Sequence, residues 1–188
     1  MRAPMANDEQ ALITAVRATV AGFDARTPRE VESRRRFLAE LDRLPRPFDE
    51  DADPVHVTGS AIIAGPQGVV LHFHKRLHMW LQTGGHVEPG ETPWDAALRE
   101  SHEETGLPLR HSNGAPHFVH LDVHPAAKGH THLDLRYLLE PVDPDAQPAP
   151  PAGESQQVRW FTWDGAIEAA DAGLVDALHR LRPQNHPG

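Results

Sequence analysis

Apolar residues recur along this chain with two periods, and the change from one to the other divides it. From residue 8 to 21 the spacing is helical. Leu12, Ile13, Val16 and Val20 fall on one side of DEQALITAVRATVA, which predicts a short amphipathic helix. Thr27-Pro28-Arg29-Glu30 has the form of a capping box with proline in the first turn. It predicts a second helix with Val31, Leu38, Leu41 and Leu44 as its apolar stripe, ending at Pro45. Past the acidic, proline-rich stretch 45–54 the period becomes two. Strands are expected at Val55–Ala64, Val69–His74, His78–Gln82 and His86–Glu88, the first two joined at Gly65-Pro66-Gln67-Gly68. Further strands are expected at His117–His124, Thr131–Glu140 and Val158–Thr162, and a closing helix at Asp164–Leu181. Residues 1–7 and 182–188 read as terminal tails. Residues 141–153 contain five prolines and no periodicity, and read as a flexible loop.

One helical stretch among these strands carries more than packing. Thr92 is an N-cap, Pro93 suits the first helical position and Gly106 stops the helix, which predicts a span of 93–105. Trp94, Ala97, Leu98 and Ser101 share one stripe. Glu100, Glu103 and Glu104 share the neighbouring stripe, because residues three and four apart are helix neighbours. Carboxylates that close repel one another, and a divalent cation removes the repulsion. Oxygen donors without any cysteine indicate Mg²⁺, or Mn²⁺ in its place, rather than zinc. Gly84, Gly85 and Gly90 suit a tight loop whose backbone approaches a ligand closely.

Gly85–Leu107, GHVEPGETPWDAALRESHEETGL, closely resembles the Nudix box, G-x5-E-x7-R-E-U-x-E-E-x-G-U with U aliphatic. Gly85, Glu91, Arg99, Glu100, Glu103, Glu104, Gly106 and Leu107 match it; Ser101 stands where the family usually has an aliphatic residue. The resemblance implies an α/β (α+β) domain over residues 54–182, a mixed sheet between helices, with residues 1–48 as a helical extension. It implies a metal-dependent hydrolase of a nucleoside diphosphate linked to another moiety, or of a nucleoside triphosphate. Glu100, Glu103 and Glu104 would be the metal ligands, with the Gly84 carbonyl beside them. Glu100 is also a candidate general base, a role the family does not always give to one position. Arg99 and Glu91 would form an ion pair that orients it. Many members add a carboxylate from a late loop, and Glu154 is the expected one, brought in as the proline-rich loop closes. His132 and Asp134 lie on a strand that often lines the substrate cleft, His86 follows the glycine loop, and Trp80 offers a face for a nucleobase.

Global properties narrow the alternatives. The chain has 188 residues, 18 basic and 27 acidic, for a net charge of −9. That balance argues against a general nucleic-acid binder and leaves a small-molecule nucleotide as the expected partner. No apolar run reaches membrane length and no signal peptide is visible, so a cytoplasmic location is expected. The absence of cysteine counts against an isopentenyl diphosphate isomerase, whose box is similar but whose active site uses that residue. A silenced regulatory module would be expected to lack Glu100, Glu103 or Glu104, and all three are present. The fourteen histidines read mainly as polar faces of half-exposed strands. The N-terminal helices could pack on the core, form a homodimer surface or shape the cleft.

Overall fold

The computed structural model describes residues 5–183; of the expected tails 1–7 and 182–188, residues 1–4 and 184–188 lie outside the described residues, and residues 5–7 belong to the first helix. Its elements in chain order are α1 (Met5–Ala21), α2 (Pro28–Arg43), β1 (Val55–Gly65), β2 (Gly68–His74), β3 (Met79–Leu81), β4 (Thr83–His86) and α3 (Pro93–Thr105). There follow β5 (Leu109–His111), β6 (Phe118–Pro125), β7 (Thr131–Pro141), β8 (Val158–Phe161), α4 (Trp163–Ala169) and α5 (Ala172–Leu181). The strands form one mixed sheet in the order β3-β2-β1-β7-β5, with β4 also on β1, β6 on β7 and β8 on β2. β1 and β7 run parallel from Val55 opposite Thr131 to Ile63 opposite Leu139, and the other pairings are antiparallel.

Several local expectations differ from the outcome. The strand expected at His86–Glu88 lies earlier, at Thr83–His86, because Gly84 and Gly85 pair with Ser60 and Gly59 of β1. The closing helix is two helices. Asp171 caps α5 by accepting from the Leu174 N–H, and the chain is extended at Ala170. The short strand β5 had no periodicity to announce it. On α2 the inward stripe is Glu30, Ser33, Phe37 and Leu41, while Val31 is 48% exposed. The Thr27 capping box is present as expected and fixes where α2 begins, but polar groups take two of its four inward positions.

Those polar groups have partners. The sheet face bearing His56, Thr58 and Ser60 of β1 also carries His132, Asp134 and Arg136 of β7 and His120, Asp122 and His124 of β6. It is not half-exposed as expected: α2 and α5 pack on β6, and His56, His120, Asp122, Asp134 and Arg136 are all buried. Arg29 of α2 makes a bidentate pair with Asp122 at 2.8 Å through both bonds. Glu30 accepts from Arg180 of α5 at 2.8 Å, and Arg136 donates to Asp134 at 2.9 Å. Helix α2 is therefore keyed to the sheet by charge as well as by apolar contact, and α1 packs on α2. The opposite face holds Val57, Ala61, Leu133, Leu135 and Leu139 and receives α3 through Ala96 and Ala97. Gly59 makes that contact close: a Cβ there would lie 2.0 Å from the Pro93 carbonyl oxygen.

Candidate active site

Helix α3 is positioned by its ends and by one buried polar pair. Thr92 accepts from the Asp95 N–H at the start, and Gly106 takes φ 69° at the end. Ser101, the departure from the aliphatic pattern, is fully buried, and its hydroxyl lies 2.6 Å from that of Thr83. The substitution thus pins α3 to β4 by a hydrogen bond where a methyl group would have packed. With that face fixed, Glu100 and Glu104 lie against the glycine loop and Glu103 beside Arg99.

Arg99 ties the set together. Its Nε and Nη2 donate to Glu91 at 3.0 and 2.9 Å, a fork-to-fork pair. Its Nη1 donates to Glu100 at 2.8 Å and to Glu103 at 3.3 Å, and its Nη2 also reaches the His86 carbonyl at 3.0 Å. The Glu91 carboxylate is held below its usual range although burial alone would raise it, because Arg99 and the Glu88 N–H bond it. Glu100 rests against Gly85 so closely that a Cβ there would lie 2.5 Å from its carboxyl carbon. Glu104 accepts from the Gly84 N–H at 3.0 Å and lies 3.6 Å from His72 Nδ1. Burial pushes the Glu104 carboxyl up to about 8, and the charges of Glu100, Glu154 and Glu103 push the same way. His72 is driven down to about 4, first by burial and then by His74, so it brings no positive charge to the group.

Glu154 is near enough to act electrostatically on Glu104, and its loop is anchored. Ala149 N–H donates to the Thr105 carbonyl, Ser155 Oγ to Phe73 O at 2.8 Å and Trp160 Nε1 to Ala146 O at 3.0 Å. The expected loop after β7 carries no regular element over residues 142–153, and its backbone is bonded to the end of α3, where Gly106 leaves room for the Ala149 carbonyl. The remaining expected residues are dispersed. Asp134 is buried and bonded by Thr58, Ser60 and Arg136. His132 is half-buried beside His56, His86 and His124. Trp80 packs edge-on against Phe73 and Phe161, under the Arg159 guanidinium. His72 is a neighbour of Glu104 that the strand pattern does not indicate. Its place on β2 did not show that it would reach Glu104, since α3 packs mainly on β1 and β4.

A mixed sheet carrying a capped helix, with three glutamates beside a glycine loop and an arginine bonded to two of them, is the architecture of a Nudix hydrolase. The NUDIX domain model matches residues 54–181, and the chain belongs to that family. It is 31% identical over 107 residues to an asymmetrical bis(5'-nucleosyl)-tetraphosphatase of Caenorhabditis elegans, covering 55% of this chain and 72% of that one. It is 31% identical over 97 residues to a probable DHNTP pyrophosphohydrolase of Lactococcus lactis, covering 50% of this chain and 58% of the relative. A NUDIX-family hydrolase from Clostridium perfringens superposes with a TM-score of 0.55 at 26% identity, covering 66% of this chain and 96% of that one. The protein is an enzyme of the Nudix hydrolase class. No helix among its described residues is long and apolar enough to cross a membrane.

Proposed function

We propose that this enzyme hydrolyses a phosphoanhydride bond in a nucleotide, with a dinucleoside polyphosphate or a nucleoside triphosphate derivative as substrate and Mg²⁺ or Mn²⁺ as cofactor. The observation that carries the reading is the disposition of charge on α3. Glu100, Glu103 and Glu104 project to one side with Glu154 nearby, and the arginine bonded within the group is already engaged by Glu91. Hard oxygen donors in that excess suit Mg²⁺ or Mn²⁺. Glu100, Glu103, Glu104 and Glu154 would hold the ion beside the Gly84 backbone. When bound, the ion neutralises phosphate charge and lowers the pKa of a coordinated water.

The protein's own groups do the rest. Arg99 fixes the Glu100 carboxylate against Gly85, so one oxygen stays oriented to accept a proton from an attacking water. Glu91 holds Arg99 in place, and the bond from Arg99 to the His86 carbonyl sets the loop against the helix. The substrate class draws support from the two curated relatives, which are named for a dinucleoside tetraphosphate and a pterin triphosphate. Both names denote a polyphosphate chain.

The test is phosphate or nucleotide release from dinucleoside polyphosphates, nucleoside triphosphates and ADP-ribose, with Mg²⁺ or Mn²⁺ and with EDTA. Turnover should need the metal and should fall at least about 100-fold in Glu103→Gln and Glu104→Gln. Turnover that survives EDTA, or that both variants retain, would refute the assignment.

A further inference from the structure

A second cluster of ligating side chains sits on the far side of the glycine loop from the carboxylates. His56 is the second residue of β1, His86 ends β4 and His132 is the second residue of β7, and one ring nitrogen from each lies within 4.8 Å of the others. The His56 ring is 5.0 Å from His86, 5.1 Å from His132 and 5.1 Å from His130 between centroids. Glu50, His56 and His130 form a second trio within the same 4.8 Å limit, and Glu50 already lies 2.9 Å from His86 Nδ1. Backbone register produces this convergence: His56 is paired directly with His132, and His86 with Thr58 two residues on.

An independent observation concerns His56 itself. Its ring is fully buried, and its Nδ1 lies 3.3 Å from the Asp53 carbonyl. Its Nε2 is buried without a hydrogen-bond partner among the described residues. With the proton on Nδ1, donated to Asp53, Nε2 carries a bare lone pair. A histidine that donates one ring N–H to a backbone carbonyl and offers the other nitrogen is the usual form of a metal ligand. A buried polar atom without a partner is costly and calls for one. Tetrahedral zinc sites with nitrogen at about 2.0–2.1 Å place their donors ~3.4 Å apart, so the rings need to close by no more than ~1.5 Å. A surface hollow of about 410 Å³ lined by Glu50, Asp53, Lys128 and His130 opens beside the cluster and gives an ion a way in.

We propose that His56, His86 and His132 form a second metal site, for a divalent transition ion of the zinc, nickel or copper class, with Glu50 or His130 completing the coordination. Imidazole donors select such ions over Mg²⁺, so this site and the carboxylate site differ in the metal they take. The site is joined to the catalytic helix. The carbonyl of His86 accepts from Arg99, so an ion on the His86 ring also immobilises the strand that supports the Arg99–Glu91 pair.

The test uses untagged full-length protein in millimolar Mg²⁺, which competes for the carboxylates, and titrates Zn²⁺ or Co²⁺ by calorimetry and by visible absorption. The expected result is one equivalent bound, with the intense absorption of four-coordinate Co²⁺. Affinity should fall at least about tenfold in His86→Ala, whose side chain is the most accessible of the three, and in His132→Ala. Glu103→Gln should bind the ion as the natural protein does, which separates this site from the carboxylates. No uptake in excess Mg²⁺ would overturn the proposal, as would uptake unchanged in both histidine variants. Loss of uptake in Glu103→Gln together with retention in His86→Ala would do the same.

Discussion

Gly85→Ala separates positioning from folding. Gly85 is not at a positive φ, so alanine meets no backbone penalty there, and the obstacle is the Glu100 carboxyl group. The new Cβ would lie 2.5 Å from the carboxyl carbon and from Oε1. Ordinary contact begins near 3.4 Å, so the carboxylate must retreat by roughly 0.9 Å. A misplacement of about 1 Å at reacting groups costs on the order of 100-fold in rate, or about 2.7 kcal/mol. The stability cost is far smaller. The clash is met by the end of a flexible side chain, and the bond surrendered is the partly exposed Arg99–Glu100 pair, worth about 1 kcal/mol or less. Tm should therefore fall by no more than ~4 °C. Gly59→Ala is the contrasting control. There a Cβ would lie 2.0 Å from the Pro93 oxygen and 3.1 Å from the Ala97 nitrogen, both helix backbone. Helix α3 would have to lift off the sheet, costing about 3 kcal/mol or more. The assays are kcat on the best substrate of the hydrolysis panel, thermal denaturation and circular dichroism. If Gly85→Ala keeps kcat within twofold, the placement of Glu100 against that backbone is not what catalysis uses.

Three further outcomes follow from the buried polar groups. Asp122→Asn removes the charge that pairs with Arg29 and Arg136 and should cost about 3–5 kcal/mol in urea denaturation; a loss under 1 kcal/mol would show the network to be dispensable. Ser101→Ala leaves the Thr83 hydroxyl buried without its partner and should cost about 1–3 kcal/mol, whereas Thr83→Val with Ser101→Ala should cost less than the two singles combined. His120 is held down to about 3, mainly by burial and next by Arg136, with Glu30, Asp122 and Arg180 also facing it. Its folded pKa is depressed, so the unfolded state binds the extra proton: the contribution is complete above pH ~6.5 and is lost as pH falls toward 3, at up to about 1.4 kcal/mol per unit. The pH dependence of the urea midpoint should be shallower in His120→Gln across that window, and an identical slope would refute the assignment to this ring.

Much of the site could be read directly from the chain because it is local. Helix geometry alone puts Glu100, Glu103 and Glu104 on one stripe, and the caps Thr92 and Gly106 fix the helix that carries them. Arg99 meets Glu91 across a separation of only eight positions, most of it the first turns of α3. Alternation was a weaker guide where strands are buried on both faces. It identified β1 and β7 but did not show that their polar face lies under α2 and α5. Nor did it reveal why α2 turns Glu30 and Ser33 inward and leaves Val31 out. The inward polar stripe of α2 makes sense only opposite Asp122 and Arg180, which lie roughly 90 and 150 residues along the chain.

The sequence by itself determined the carboxylate helix, its arginine, the glycine loop and the strand pattern around them. These depend on spacings of a few residues, over which backbone geometry leaves little freedom. Tertiary structure decided what the distant segments do. It placed His72 beside Glu104, fastened the proline-rich loop to the end of α3, and packed α2 on β6 through the Arg29–Asp122 pair. It also drew His56, His86 and His132 together at the ends of three strands. Parallel pairing of β1 with β7 set that last meeting, and such pairing joins residues about 75 positions apart whose register no local pattern specifies.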